Sequence, residues 1–191
     1  MNPGILEIAA EMTPNPNTLK FNVNRVLVPA GSLNFPDKAS AKGSRLAEAL
    51  FESESVLGVM AGHNFITVTK NPSASWQSIV ENITRTIRTV LESDGPLFSQ
   101  GPGPSGAPGA GSGANGDIER RIREILDNEI RPAVAMDGGD ITFYGYENGV
   151  VTLHLQGSCS SCPSSILTLK MGVENRLKSL IPEVKEVVQV Q

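Results

Sequence analysis

Cys159 and Cys162 are the two cysteines of this 191-residue chain, set two serines apart in "LHLQGSCSSCPSSILTLK", residues 153–170. A thiolate is both a nucleophile and a soft metal ligand, so the pair can exchange disulfides or hold metal. A structural zinc site wants about four Cys or His ligands in closed tetrahedral geometry, and the chain adds only His63 and His154. Both read as ordinary surface or half-buried histidines: His154 lies on an extended segment five residues before Cys159, and His63 lies in a turn far upstream. Zinc within one chain is therefore disfavoured. A dithiol/disulfide oxidoreductase is the alternative, because a strand, a CxxC and a helix in succession also build redox sites. Against it, only one strand follows the helix and no aromatic residue stands directly before Cys159; the Trp of the chain, Trp76, lies in the other half. The third reading gives each chain half of a coordination sphere. Iron–sulfur clusters are commonly held by four thiolates, which two such chains supply. A shared cluster on few ligands can be released, which suits a carrier better than an electron-transfer protein.

The cysteines need a strand that stops and a helix that starts. Gly157 permits a tight turn at the end of "VVTLHLQG", and Pro163 suits a first helical turn, where its missing N–H leaves no donor unsatisfied. Both sulfurs are then expected at a helix N-terminus, whose exposed N–H groups and dipole favour anions. Around them, Asp117 is expected to cap a helix through about Glu129. "DITFYGYENGVVTLHLQG" reads as a hairpin turning at Glu147-Asn148-Gly149, Pro163 to about Leu180 as a helix, and "EVKEVVQV" as a closing strand. The order is αββαβ.

Upstream, "ILEIAAEM" and the alternating "TLKFNV" flank the turn-forming "TPNPN", and Ser44 can cap a helix presenting Leu46, Leu50 and Phe51. "VLGVMAGHNFITVTK" gives two strands about Gly62-His63-Asn64, and Trp76, Ile79, Val80, Ile83, Ile87, Val90 and Leu91 form one helical stripe. The order there is ββαββα. The uncharged stretch "SQGPGPSGAPGAGSGANG" separates the halves. It has no large apolar side chain to offset its ordering entropy, and as a coil it spans on the order of 20–25 Å. The fold class is α+β, with domains at 1–97 and 117–191 joined by a flexible linker at 98–116.

Composition narrows the setting. A net charge of −4 argues against nucleic acid as the main partner. No apolar run of about 18 residues offers a membrane span. The acidic N-terminus lacks the pattern of a secretory signal or an Arg-rich presequence. The expected setting is a reducing, bacterial-type cytoplasm, ahead of the mitochondrial matrix.

The surroundings of the CxxC carry a resemblance. Arg131-Pro132, Asp137-Gly138-Gly139-Asp140, Gly157 to Ser165 and Thr168-Leu169-Lys170 resemble the C-terminal domain of the Nfu (NifU-like) iron–sulfur scaffold and carrier family. "EMTPNPNTLKF", "RLAEALF" and "GVMAGHNFITVTK" are similar to that family's N-terminal domain. The resemblance implies a protein that is not an enzyme. It implies a [4Fe–4S] cluster bridging two protomers through Cys159 and Cys162 of each, a homodimer when cluster-bound, an upstream cluster donor and apo-protein clients. Within it, Asp137-Gly138-Gly139-Asp140 is read as a helix-to-strand turn and not as a carboxylate metal site. Ser158, Ser160 and Ser161 are read either as donors to sulfur or as small residues that let a cluster approach the backbone. Lys170 is placed on a solvated helix face, with contact to a partner as the alternative. The first domain is read as a recognition or regulatory module, with a stabilising appendage as the rival.

Overall fold

In the computed structural model, residues 5–29, 31–98, 114–158 and 163–190 are described. The chain divides into two compact units, residues 1–105 and 106–191, each with its own core of buried apolar side chains.

The first unit is a five-stranded antiparallel sheet in the order β1-β2-β5-β4-β3. Its elements are β1 (Ile8–Met12), β2 (Thr18–Val23), β3 (Leu33–Phe35), α1 (Arg45–Leu50), β4 (Val56–Ala61), β5 (Phe65–Lys70) and α2 (Trp76–Glu92). The β1–β2 turn is built by "TPNPN". Thr13 Oγ1 donates to Thr18 O at 2.9 Å and accepts from Asn15 N at 3.2 Å, and Asn15 Oδ1 accepts from Asn17 N at 3.0 Å. Side chains thus satisfy backbone groups that the turn takes out of the ladder. Ser44 caps α1 as expected, its Oγ accepting from Ala47 N at 3.1 Å. The α2 stripe buries Ile83, Ile87, Val90 and Leu91 against the sheet, with Trp76, Ile79 and Val80 partly buried beside them. The ββαββα outline holds, with the short β3 added. β2 is more buried than its alternation suggested: Lys20 is only 9% exposed, its Nζ 4.8 Å from the centre of the Phe65 ring.

The second unit is a three-stranded sheet, β6 (Gly139–Glu147), β7 (Val150–Gly157) and β8 (Glu186–Val190), in that order. β6 and β7 are an antiparallel hairpin. Its turn residues Asn148 and Gly149 have φ of 53° and 92°, the left-handed pair that a two-residue hairpin matched to strand twist requires. β8 pairs parallel to β7, which demands a crossover, and α5 (Pro163–Leu180) supplies it.

The helix before the hairpin departs from expectation at both ends. It begins at Ala114, so Asp117 lies in its first turn and not at its cap. It also continues past Glu129, as α3 (Ala114–Ile125), a π-helical turn (Leu126–Ile130) and α4 (Arg131–Met136). The reason is Pro132. A proline inside a helix removes one N–H and its ring crowds the carbonyl four residues back, here that of Asn128. The widened turn relieves this: the Arg131 N–H bonds Leu126 O, five residues back. Ile122, Leu126, Ile130 and Val134 therefore stay on one buried face through the irregularity.

Candidate metal centre

Cys159 and Cys162 lie outside the described residues, as do Ser160 and Ser161, and the described elements bracket them. β7 ends at Gly157 and α5 opens at Pro163, which is the strand–CxxC–helix order read from the sequence. Gly157 has φ of 69°, a left-handed conformation that costs a residue with a Cβ about 1–2 kcal/mol. Its role in shaping the turn is thus explained by backbone geometry.

The strand end is held from the side by the Asp137-Gly138-Gly139-Asp140 turn. Gly139 pairs with Gly157 in the β6–β7 register. One residue on, Ser158 N donates to Gly138 O at 3.1 Å, and Ser158 Oγ donates to Asp137 O. Ser158 is 2% exposed. Of the two readings given to this serine, neither included that bond: its hydroxyl holds the chain to the neighbouring turn.

The turn is in turn pinned by Arg131. Arg131 Nε lies 3.0 Å from Asp140 Oδ1, Nη1 lies 2.7 Å from Asp127 Oδ1, and Nη2 donates to Ile141 O at 3.1 Å. Asp140 Oδ1 also accepts from Ile141 N at 2.8 Å. A guanidinium fork suits this because its donors reach two carboxylates and a carbonyl at once. Asp140 is a buried structural carboxylate, which supports the reading of this segment as a turn. Arg131 stood in the sequence as part of a motif only, and its anchoring role went unread because its partners include a residue nine positions downstream.

Neither histidine joins a ligand set among the described residues. His154 Nδ1 lies 3.0 Å from Gln156 Nε2, within β7. His63 Nδ1 lies 3.1 Å from Val28 O and secures a loop of the first unit. Among the described residues, no group of three or more His, Cys, Asp or Glu side chains could hold a metal ion. Lys170 is partly buried, where a solvated face was expected. On α5, Glu174 Oε1 accepts from Lys178 Nζ at 2.6 Å and its Oε2 accepts from Val187 N of β8 at 3.0 Å. The Lys178 bond first, and then the Val187 bond, hold this carboxyl below its ordinary value.

Two domain profiles match the chain. "Scaffold protein Nfu/NifU N terminal" matches residues 8–94, and "NifU-like domain" matches residues 122–188. The chain belongs to the Nfu (NifU-like) iron–sulfur cluster scaffold family. It is 45% identical over 184 residues to "NFU1 iron-sulfur cluster scaffold homolog, mitochondrial" of Homo sapiens, covering 96% of this chain and 71% of that one. It is 44% identical over 187 residues to the protein of the same name in Drosophila ananassae, covering 96% and 64%. It is 39% identical over 184 residues to "NifU-like protein 4, mitochondrial" of Arabidopsis thaliana, covering 95% and 65%. The chain thus spans about two thirds of the length of these relatives. All three carry mitochondrial names, which overturns the cytoplasmic setting expected from the sequence. Charge balance and an N-terminal pattern do not fix a compartment. No described helix is long and apolar enough to cross a membrane.

Proposed function

We propose that this chain is a non-catalytic carrier of a [4Fe–4S] cluster, held as cargo between two protomers by Cys159 and Cys162 of each. The observation that carries the reading is the bracketing of the CxxC by β7 and α5 inside a chain of the iron–sulfur scaffold family. One chain has two thiols, and a four-thiolate cluster takes both from each of two chains. Transfer to an apo-protein is then ligand exchange without redox change. A client thiol loses its proton and binds iron, the displaced cysteine thiolate takes up a proton, and the cluster keeps its charge. Following the relatives, the setting is mitochondrial. The linker expected at 98–116 is shorter at both ends, since Phe98 packs on the first core and α3 opens at Ala114; the first domain positions the second against clients, and an upstream donor loads it. The dithiol oxidoreductase reading gains no support from a second unit with a three-stranded sheet.

The test is anaerobic reconstitution with iron and sulfide. Wild type is expected to bind about four iron and four sulfide per two chains and to move from monomer to dimer on sizing. Cys159→Ser and Cys162→Ser are expected to lose stable cluster binding while keeping the apo circular dichroism spectrum. A single mutant that loads like wild type, or a fully loaded monomer, removes this reading.

A further inference from the structure

The hydroxyl of Ser158 is a feature that the proposed function leaves unused. It is 2% exposed, it immediately precedes the first cysteine in sequence, and it donates to Asp137 O while its own N–H donates to Gly138 O. Two bonds from one residue to one turn fix both position and orientation, where the backbone bond alone leaves the peptide free to pivot. The receiving turn is itself rigid, through the Arg131–Asp140 pair and the β6–β7 register at Gly139 and Gly157. Ser158 is therefore the point at which a fixed turn is joined to the chain leading into Cys159.

We propose that Ser158 is a positioning residue for the cluster: its bond to Asp137 O fixes the residue from which the chain continues to Cys159, and so sets how readily the cluster is released. The proposal rests on the reading of Cys159 and Cys162 as cluster ligands. Ser158 does not touch iron in this account; it acts through the residue that does. Weakening the bond leaves both thiolates available, so loading survives, but the ligand geometry is less well held and exchange is faster.

The experiment compares Ser158→Ala with wild type, both full-length and reconstituted with iron and sulfide. Three quantities are read: cluster half-life against a ferrous chelator, the iron–thiolate stretching bands of the loaded protein by resonance Raman, and the melting temperature of the apo form. Ser158→Ala is expected to load as much iron as wild type and to lose it about three- to ten-fold faster, the effect of one net hydrogen bond on a rate. Its iron–thiolate bands are expected to shift or broaden, which a merely structural bond would not cause. An S158A protein that matches wild type in half-life and bands overturns this inference alone. An apo S158A melting more than about 15 °C below wild type overturns it too, since the bond would then hold the domain and not the loop. A wild type that takes up no iron removes the cluster reading, and this inference with it.

Discussion

Arg131 shows how much one side chain can organise. It faces Asp127, Asp140 and the Ile141 carbonyl at once, and the Asp140 side chain is 8% exposed. Arg131→Met keeps the aliphatic stem and removes every donor, which leaves a buried carboxylate without its cation. The expected cost is about 2–3 kcal/mol, measured by urea unfolding of the second unit, with first-unit stability unchanged. A change under about 0.5 kcal/mol would mean that the pair is only a surface contact. At this scale the sequence was legible where chemistry is local. Gly157, the helix start at Pro163 and the Ser44 cap each depend on neighbours within a few residues. Arg131 and the Ser158 hydroxyl depend on partners 9 and 21 positions away, and no periodicity reports such pairs.

Among the elements, α5 and β8 are joined by Glu174, which accepts from Lys178 and from Val187 N. Because these bonds hold its pKa below the ordinary value, the sign is that of a depressed carboxyl. The stability it contributes is present above the unfolded-state pKa, about 4.3, and is lost as pH falls through the lower folded-state value. Glu174→Gln is expected to cost about 1 kcal/mol at pH 7, with the difference from wild type shrinking steadily below about pH 4. Melting temperatures of both proteins from pH 7 to pH 3 check this, and parallel curves would rule it out. Legibility here followed length and period. The α2 stripe and the β6–β7 hairpin are long, periodic and properly terminated, so they could be read. β3 has three residues, too few for any alternation to stand out. α4 follows Ile130 directly and opens with Arg131-Pro132, which reads as a stop signal until the π turn is known to accommodate the proline.

Across the whole molecule, the described residues of each unit have their own buried cluster, so each is expected to fold by itself. A fragment should start at about Gly106, the unit boundary, because a start at Asn115 would cut into α3 at Ala114. Residues 106–191 are expected to melt cooperatively and to load a cluster with wild-type iron content. Transfer from this fragment to client apo-proteins is expected to be slower than from the full chain. Equal rates on several clients would reduce the first unit to a stabilising appendage. The paired-unit α+β organisation was legible because an uncharged Gly/Pro-rich stretch divides two periodic halves. The cellular compartment was not, since it is an address read by other proteins and leaves no mark on a hydrophobic core.

The π-helical turn ties together two kinds of genetic change that are usually counted separately. A π turn is an α-helix carrying one residue too many, absorbed without rotating either flank. Deleting an exposed residue there, such as Asn128, would restore a regular helix with Ile122 and Val134 still facing inward. It would also bring the Pro132 ring against the carbonyl of Asp127, which would then stand four residues back. The deletion is therefore harmful with Pro132 in place and acceptable once that residue is replaced. Helix length and the proline form one inherited unit, and a lineage that loses either half is under pressure to lose the other.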